Sequence, residues 1–98
     1  MKISISDFST SAQIELNSIS PSLRKYARGS LACILSGGLE THGADIDDIE
    51  AYIIALLRAT KAEQEWDECP IDSDEWDEKA DHARYCAQIA GKLMKKIL

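Results

Sequence analysis

The sequence predicts an all-α fold, a small helical bundle of three main helices at about residues 20–36, 45–66 and 73–97. Apolar residues recur every three or four positions within each segment, which is the period of an amphipathic helix. Prolines and a Gly-Gly pair separate the segments. The hydrophobic content of 45% comes mainly from Ile, Leu and Ala, and a chain of this length can bury one core. We therefore expect a single α-helical domain over residues 1–98.

The N-terminal segment, residues 1–19, predicts an extended lead-in followed by a short helix. Ile3 and Ile5 alternate with polar residues, as in a strand. Asp7 or Ser9 can then cap a helix, because a side-chain oxygen before the first turn accepts a hydrogen bond from an unpaired backbone N–H.

The first main helix has clear boundary signals. Ser20 is a candidate N-cap, Pro21 has the backbone angle preferred at the first helical position, and Gly37-Gly38 ends the segment. The face predicted to meet the core consists of Leu23, Tyr26, Ala27, Ser30, Leu31, Ile34 and Leu35. A glycine inside a helix costs about 1 kcal/mol relative to alanine, so Gly29 predicts a close approach by a neighbouring element.

The second main helix is predicted to be the most deeply buried and the centre of the bundle. Asp45 is its candidate N-cap, and the acidic residues that follow suit the positive end of the helix dipole. Its apolar stripe consists of Ile46, Ile49, Ile53, Leu56, Leu57 and Thr60, widened by Tyr52 and Ile54. We expect it to run to Trp66 and to stop before Cys69-Pro70, because a residue that precedes proline disfavours helical geometry.

The third main helix begins with a candidate capping box, in which Asp72 or Ser73 is the cap and Glu75 follows three residues after Asp72. Its core positions alternate in steps of four and three: Trp76, Ala80, Ala83, Ala87, Ala90, Met94 and Ile97. Alanines allow another helix backbone to approach closely. This seam therefore packs either inside the bundle or between two copies of the chain.

The acidic charge is concentrated near the start of this helix. Ten acidic residues and one lysine lie between Glu63 and Asp81, a local charge of −9 in a chain whose net charge is −6. Two tryptophans lie within the stretch, and aromatic anchors ringed by polar groups are typical of binding hot spots. The predicted partner-binding residues are Trp66, Asp67, Glu68, Asp72, Asp74, Glu75, Trp76 and Asp77. The competing interpretation is that the tryptophans pack over the bundle end and the acids only solvate a helix start.

The sign of this charge indicates the class of partner. It repels phosphates, so we expect no direct nucleic-acid binding, and it attracts a basic protein, such as a nuclease or another nucleic-acid-binding protein. The basic triplet Arg24, Lys25 and Arg28 is too small a footprint to reverse that expectation. The composition matches the role of small acidic inhibitors of the immunity, antitoxin or phage counter-defence type.

Two other kinds of function are compatible with the sequence, one structural and one metal-binding. The first is a helical homo-oligomeric structural or adaptor protein, joined through the alanine seam. The second is a small zinc-binding module, since His82 and Cys86 stand four residues apart on one helix, with Cys69 and His42 in loops. Close Cys-x2-Cys spacing is absent, so the sequence predicts neither a metal ligand set nor a cofactor.

Catalysis and membrane insertion are not expected. A Cys-His nucleophile pair would need Cys86 with His82 or His42, and the pair with His82 lies on an Ala-rich helix where burial is expected. The glycines at 37, 38 and 43 do not form a phosphate-binding loop. The sequence therefore predicts no enzyme and no catalytic residue. No apolar stretch reaches the roughly 18 residues of a membrane span, and no secretion signal accompanies the three cysteines. A cytoplasmic location with reduced thiols follows.

Overall fold

The computed structural model describes residues 1–97 and is all-α, as the sequence predicts. Its helices are α1 Thr10–Asn17, α2 Pro21–Tyr26, α3 Gly29–Leu35, α4 Ile46–Glu68 and α5 Trp76–Ile97. Two short strands, β1 Lys2–Ile3 and β2 Leu39–Glu40, pair antiparallel, and a 3-10 turn at Ile5–Asp7 follows β1. Within residues 1–97, no helix combines the length and the apolar character that crossing a membrane requires.

Helix α4 is the centre of the molecule. Ile49, Ile53 and Leu57 on its inner face are 0% exposed, and α4 contacts α1, α2, α3 and α5. The Asp45 carboxylate accepts a hydrogen bond from the Asp47 backbone N–H at 2.9 Å, which is the predicted cap. The helix ends at Glu68, immediately before the Cys69-Pro70 pair, two residues later than predicted.

The first main helix is not continuous, so the prediction of one helix over residues 20–36 was wrong, and with it the count of three main helices. Helix α2 ends at Tyr26, the next two residues are extended, and α3 begins at Gly29 with a φ of +58°. An L-residue in that left-handed region costs about 1–2 kcal/mol, whereas glycine adopts it freely. A Cβ at Gly29 would meet no atom within 4 Å. The glycine therefore marks a change of chain direction and not the close approach that we expected.

The break between α2 and α3 lets both short helices contribute to one core. Leu23 of α2 is 4% exposed, and Leu31 and Ile34 of α3 are each 1% exposed. Each short helix contacts α4. Two short segments with a turn between them can thus follow the surface of α4 where one straight helix could not.

The extended lead-in is present and pairs with a strand that the sequence did not reveal. The N-terminal amine donates to the Thr41 carbonyl and the Thr41 N–H donates to the Met1 carbonyl, both at 2.9 Å. Ile3 is consequently 1% exposed. Of the two candidate caps for α1, Ser9 accepts from the Ala12 N–H at 3.3 Å, while Asp7 accepts from the Ser4 N–H at 2.8 Å in the preceding 3-10 turn.

Helix α5 returns along α4, and its alanine seam is internal. Ala80, Ala83 and Ala90 are 2%, 7% and 4% exposed. Ala87 and Met94, which were predicted to lie on the same stripe, are exposed. The helix begins at Trp76 and not at residue 73, because Ser73 forms a turn in which its hydroxyl accepts from the Glu75 N–H at 3.2 Å.

The backbone at Gly29 gives a test with a matched control. Gly29→Ala should lower the free energy of unfolding by about 1 kcal/mol, because alanine resists a positive φ. Gly91→Ala should raise it by about 0.5–1 kcal/mol, because Gly91 is helical and a Cβ there meets no atom within 4 Å. Urea denaturation of the two variants measures both changes. Equal effects would show that the left-handed backbone does not determine the α2–α3 break.

The alanine seam gives a second test. Ala83→Leu should destabilise the fold by about 1–3 kcal/mol, because a larger side chain does not fit between α4 and α5. Ala87→Leu should change stability by no more than about 0.5 kcal/mol, because Ala87 is exposed. Thermal unfolding followed by circular dichroism compares them. If both variants unfolded at the wild-type temperature, the close packing of α5 on α4 would be contradicted.

Candidate functional site

The predicted partner-binding residues lie where α4 turns into α5. Trp66, Asp67 and Glu68 occupy the last turn of α4, and Trp76 and Asp77 open α5. Asp72, Asp74 and Glu75 lie in the connection between the two helices. We call the stretch from Glu63 to Asp81 the acidic end. The hairpin formed by α4 and α5 brings its two halves, which are separate helices, to one side of the molecule.

The two tryptophans contact each other across this turn. The ring centroids of Trp66 and Trp76 are 5.7 Å apart, and the rings meet at 62° in an edge-to-face arrangement, which contributes about 0.5–1.5 kcal/mol beyond its buried area. Ala62 and Ala80, one helical turn further into the hairpin, are buried. Both tryptophans remain half-buried. The pair therefore closes the hairpin and also presents aromatic surface among the carboxylates.

The carboxylates of the acidic end fall into two groups. Asp67 and Glu68 make internal contacts: the Tyr26 hydroxyl donates to the Asp67 carboxylate at 2.6 Å, and the Gln64 amide donates to Glu68 at 3.3 Å. The other predicted acids are exposed and belong to the connection and to the first turn of α5: Asp72, Asp74, Glu75 and Asp77. The side-chain carboxylates of this second group form no hydrogen bond within residues 1–97.

The carboxylates at the centre of the acidic end form no ion pair among residues 1–97. Within residues 1–97 the ion pairs are Glu15 with Arg58 at 3.6 Å and Asp81 with Arg84 at 3.5 Å. Only Asp81, at the margin, belongs to the acidic end. The basic residues of α2 do not form ion pairs with it among residues 1–97; the α2 side chains that reach it are neutral, Tyr26 at Asp67 and Ser22 at Gln64. With ten acidic residues against the one lysine, Lys79, the acidic end therefore keeps a strongly negative potential.

Sequence reasoning missed the contact between α2 and the end of α4. Tyr26 lies 41 positions from Asp67, and Ser22 accepts from the Gln64 amide at 3.1 Å across 42 positions. No local spacing signals such a pair. The placement of Tyr26 on the core-facing side of its helix was the one relevant indication.

The residues considered for zinc come together only in part. The Cys86 thiol lies 3.8 Å from His82 Nε2, one helical turn away, as their spacing predicts. The Cys69 thiol instead contacts the carbonyl of Pro70 at 3.7 Å. Over the described residues, no group of three or more His, Cys, Asp and Glu side chains is arranged to hold a metal ion. A structural zinc ion needs four ligands, and this arrangement supplies two.

The chain matches no protein-family model, no curated protein and no solved structure.

The contact between Tyr26 and Asp67 predicts a measurable titration. The hydrogen bond to Asp67 raises the pKa of Tyr26 above its ordinary value of 10.0, and desolvation and the nearby Glu68 and Glu63 charges act in the same direction. Folding favours the neutral hydroxyl. The resulting stability is complete below the pKa of an unfolded tyrosine and is lost as pH rises through the higher folded pKa.

We expect Asp67→Asn to move this titration to lower pH, as measured by tyrosinate absorbance in the ultraviolet. In a Tyr26→Phe background the same change should leave the titration of the remaining tyrosines unmoved. Circular dichroism at each pH verifies that the protein is still folded. A wild-type curve identical to that of Asp67→Asn would contradict the contact.

Proposed function

We propose that this chain is a non-enzymatic protein-interaction module that inhibits a basic, nucleic-acid-handling protein, such as a nuclease, through its acidic end. The observation that carries the proposal is the set of exposed carboxylates in the α4–α5 connection, none of which forms an ion pair within residues 1–97. Unneutralised charge of one sign destabilises a fold by self-repulsion. Binding to a basic surface relieves that repulsion.

The charge of the acidic end defines the partner's chemistry. Carboxylates spaced along a helix start and a loop attract the Lys and Arg side chains that otherwise contact phosphates. An inhibitor of this kind acts as a nucleic-acid mimic: it occupies the basic groove and excludes the nucleic acid. Long-range attraction accelerates the encounter, because opposite fields steer the two proteins together before they touch.

The tryptophan pair contributes the short-range part of the proposed interface. Charged rims set association rates, whereas large aromatic side chains at the centre contribute most to affinity. Trp66 and Trp76 are half-buried, so binding can remove their remaining surface from water. Their mutual contact also fixes their orientation, which lowers the entropy lost on binding.

Other features support a binding role over a catalytic one. Acid–base catalysis uses groups held in a cleft that shifts their acidity, whereas Asp72, Asp74, Glu75 and Asp77 are exposed. The three cysteines are free thiols, which fits the cytoplasmic location included in the proposal. The immunity, antitoxin and phage counter-defence roles share this chemistry and differ in the partner's identity.

The partner can be identified by affinity capture. The tagged protein is incubated with lysate of the organism that makes it, at low and at high salt, and the retained proteins are identified by mass spectrometry. We expect one basic, nucleic-acid-handling protein that elutes as salt is raised, because salt screens exposed charges. Inhibition of that protein's activity by the purified chain completes the test.

Charge reversal locates the interface. The triple variant Asp72→Lys, Asp74→Lys, Asp77→Lys should lower the association rate by at least about tenfold and flatten its salt dependence, since steering raises such rates by about 10- to 1000-fold. The control reverses three exposed acids outside the acidic end: Glu40, Asp47 and Asp48. It changes the net charge equally, so it should affect the rate much less. Equal effects of the two variants would contradict a localised interface.

A further inference from the structure

Helix α5 has an exposed face, which borders the groove between α5, α4 and α1 at Ile89. Its residues recur in steps of four, three, four, three and four, the spacing of a coiled-coil seam. They are Glu78, His82, Tyr85, Ile89, Lys92 and Lys96, and all six are exposed. We call this set the outer stripe. It differs from the alanine seam, which faces α4. At its centre, Tyr85 is 62% exposed and Ile89 is 37% exposed.

The outer stripe of one copy is complementary to the outer stripe of a second copy whose α5 runs in the opposite direction. Its spacing is the same from either end, so two copies of α5 can align antiparallel about the level of Ala87. That alignment sets Tyr85 of one copy against Ile89 of the other. It also sets Glu78 at the start of one helix against Lys96 at the end of the other. His82 then faces Lys92, a pair that supplies no attraction.

We propose that the outer stripe is a homodimer interface, in which α5 of a second copy of this chain packs antiparallel across a two-fold axis. A two-fold interface uses the same patch on both copies, and the outer stripe meets that requirement in spacing, polarity and charge. The inference does not rest on the proposed function.

The charges along α5 indicate that the molecule bound to the outer stripe is a second copy of this chain. Acidic residues occupy the first turns of α5 and lysines its last turns. Antiparallel alignment therefore brings opposite charges together twice, and the two helix dipoles also align favourably. Asp81 and Lys95 flank the outer stripe on one side and pair in the same sense. A parallel alignment would instead place acids against acids and lysines against lysines.

The composition of the outer stripe sets the strength of the dimer. Two of its six residues are apolar, so the buried apolar area is small and the charged pairs contribute a large share. The dimer is consequently weak and sensitive to salt. Its geometry covers Glu78 and leaves Asp72 and Asp74 uncovered at the two opposite ends. A dimer of this form can engage two basic partners at once.

The oligomeric state is measured by sedimentation velocity over micromolar to millimolar concentrations. We expect the mass to rise with concentration from 10.8 kDa toward twice that value, and the dimer to dissociate as salt is raised. Glu78→Lys or Lys96→Glu alone should weaken dimerisation about tenfold, because each reversal changes two symmetric pairs. The double variant Glu78→Lys, Lys96→Glu should restore it.

If the double variant dimerises as well as the wild type, residues 78 and 96 must be in contact between the two copies. Within one copy Glu78 and Lys96 are separated by about 27 Å along α5, at a rise of 1.5 Å per residue, and neither forms an ion pair within residues 1–97. The matched controls are Asp48→Lys, also an exposed acid in the first turn of a helix, and Lys61→Glu, both outside the outer stripe. These should leave the dimer unchanged.

Loss of apolar contact is tested separately. Tyr85→Ala should weaken the dimer at least tenfold and leave the circular dichroism spectrum unchanged, because Tyr85 is exposed in the monomer. Ile71→Ala, at a position 83% exposed in the loop, is the control and should have no effect. A constant monomer mass at every concentration would overturn the inference. So would a double variant that dimerises no better than the single reversals.

Discussion

Helix α4 can be buried only if every other helix packs against it, and this requirement determines where each of them lies. Its inner face is 0% exposed at Ile49, Ile53 and Leu57, and it packs in a core to which the other helices, β1 and the loop residues Phe8 and Ile19 contribute. The N-terminal half of the chain satisfies this constraint with three short helices and a two-residue strand pair that pins the N-terminus. Helix α5 satisfies it with small side chains that bring two backbones close together. The molecule is therefore organised around one long helix and is elongated, with extents of 46 × 27 × 21 Å.

The position of the acidic end follows from that organisation. A hairpin of two long helices has one end that the short helices cover only partly. Charged side chains are costly to bury without partners, so this end is where a run of carboxylates is compatible with folding. The first turn of α5 also favours negative charge through its dipole. These effects explain the tolerance of the acids without requiring a partner. A binding surface is favoured by two other features: within residues 1–97 the acids of the α4–α5 connection form no ion pair, and an aromatic pair lies between the carboxylates.

Helix α5 connects the two proposals because its opposite faces have different roles. The inner face uses alanines to pack on α4, while the outer stripe carries the charge gradient from acidic start to basic end. The acidic end includes residues before the start of α5 and residues in its first turns. A partner that binds at the α4–α5 connection and a second copy that binds along α5 would meet different residues, with Glu78 at the boundary. The two interactions are therefore separable by mutation.

Sequence patterns were enough to predict the helical class, the Asp45 cap of α4, its end to within two residues and the placement of His82 and Cys86 one turn apart, because each depends on neighbours within one or two turns. Caps, a proline and a 3.6-residue period specify such features locally. The sequence also located the carboxylates and tryptophans that the hairpin brings together. The break at Gly29, the β1–β2 pair and the hydrogen bond from Tyr26 to Asp67 became visible only in the folded structure. These features depend on where distant segments meet on α4. Contacts between residues some 40 positions apart produce no periodic pattern in the sequence from which they could be predicted.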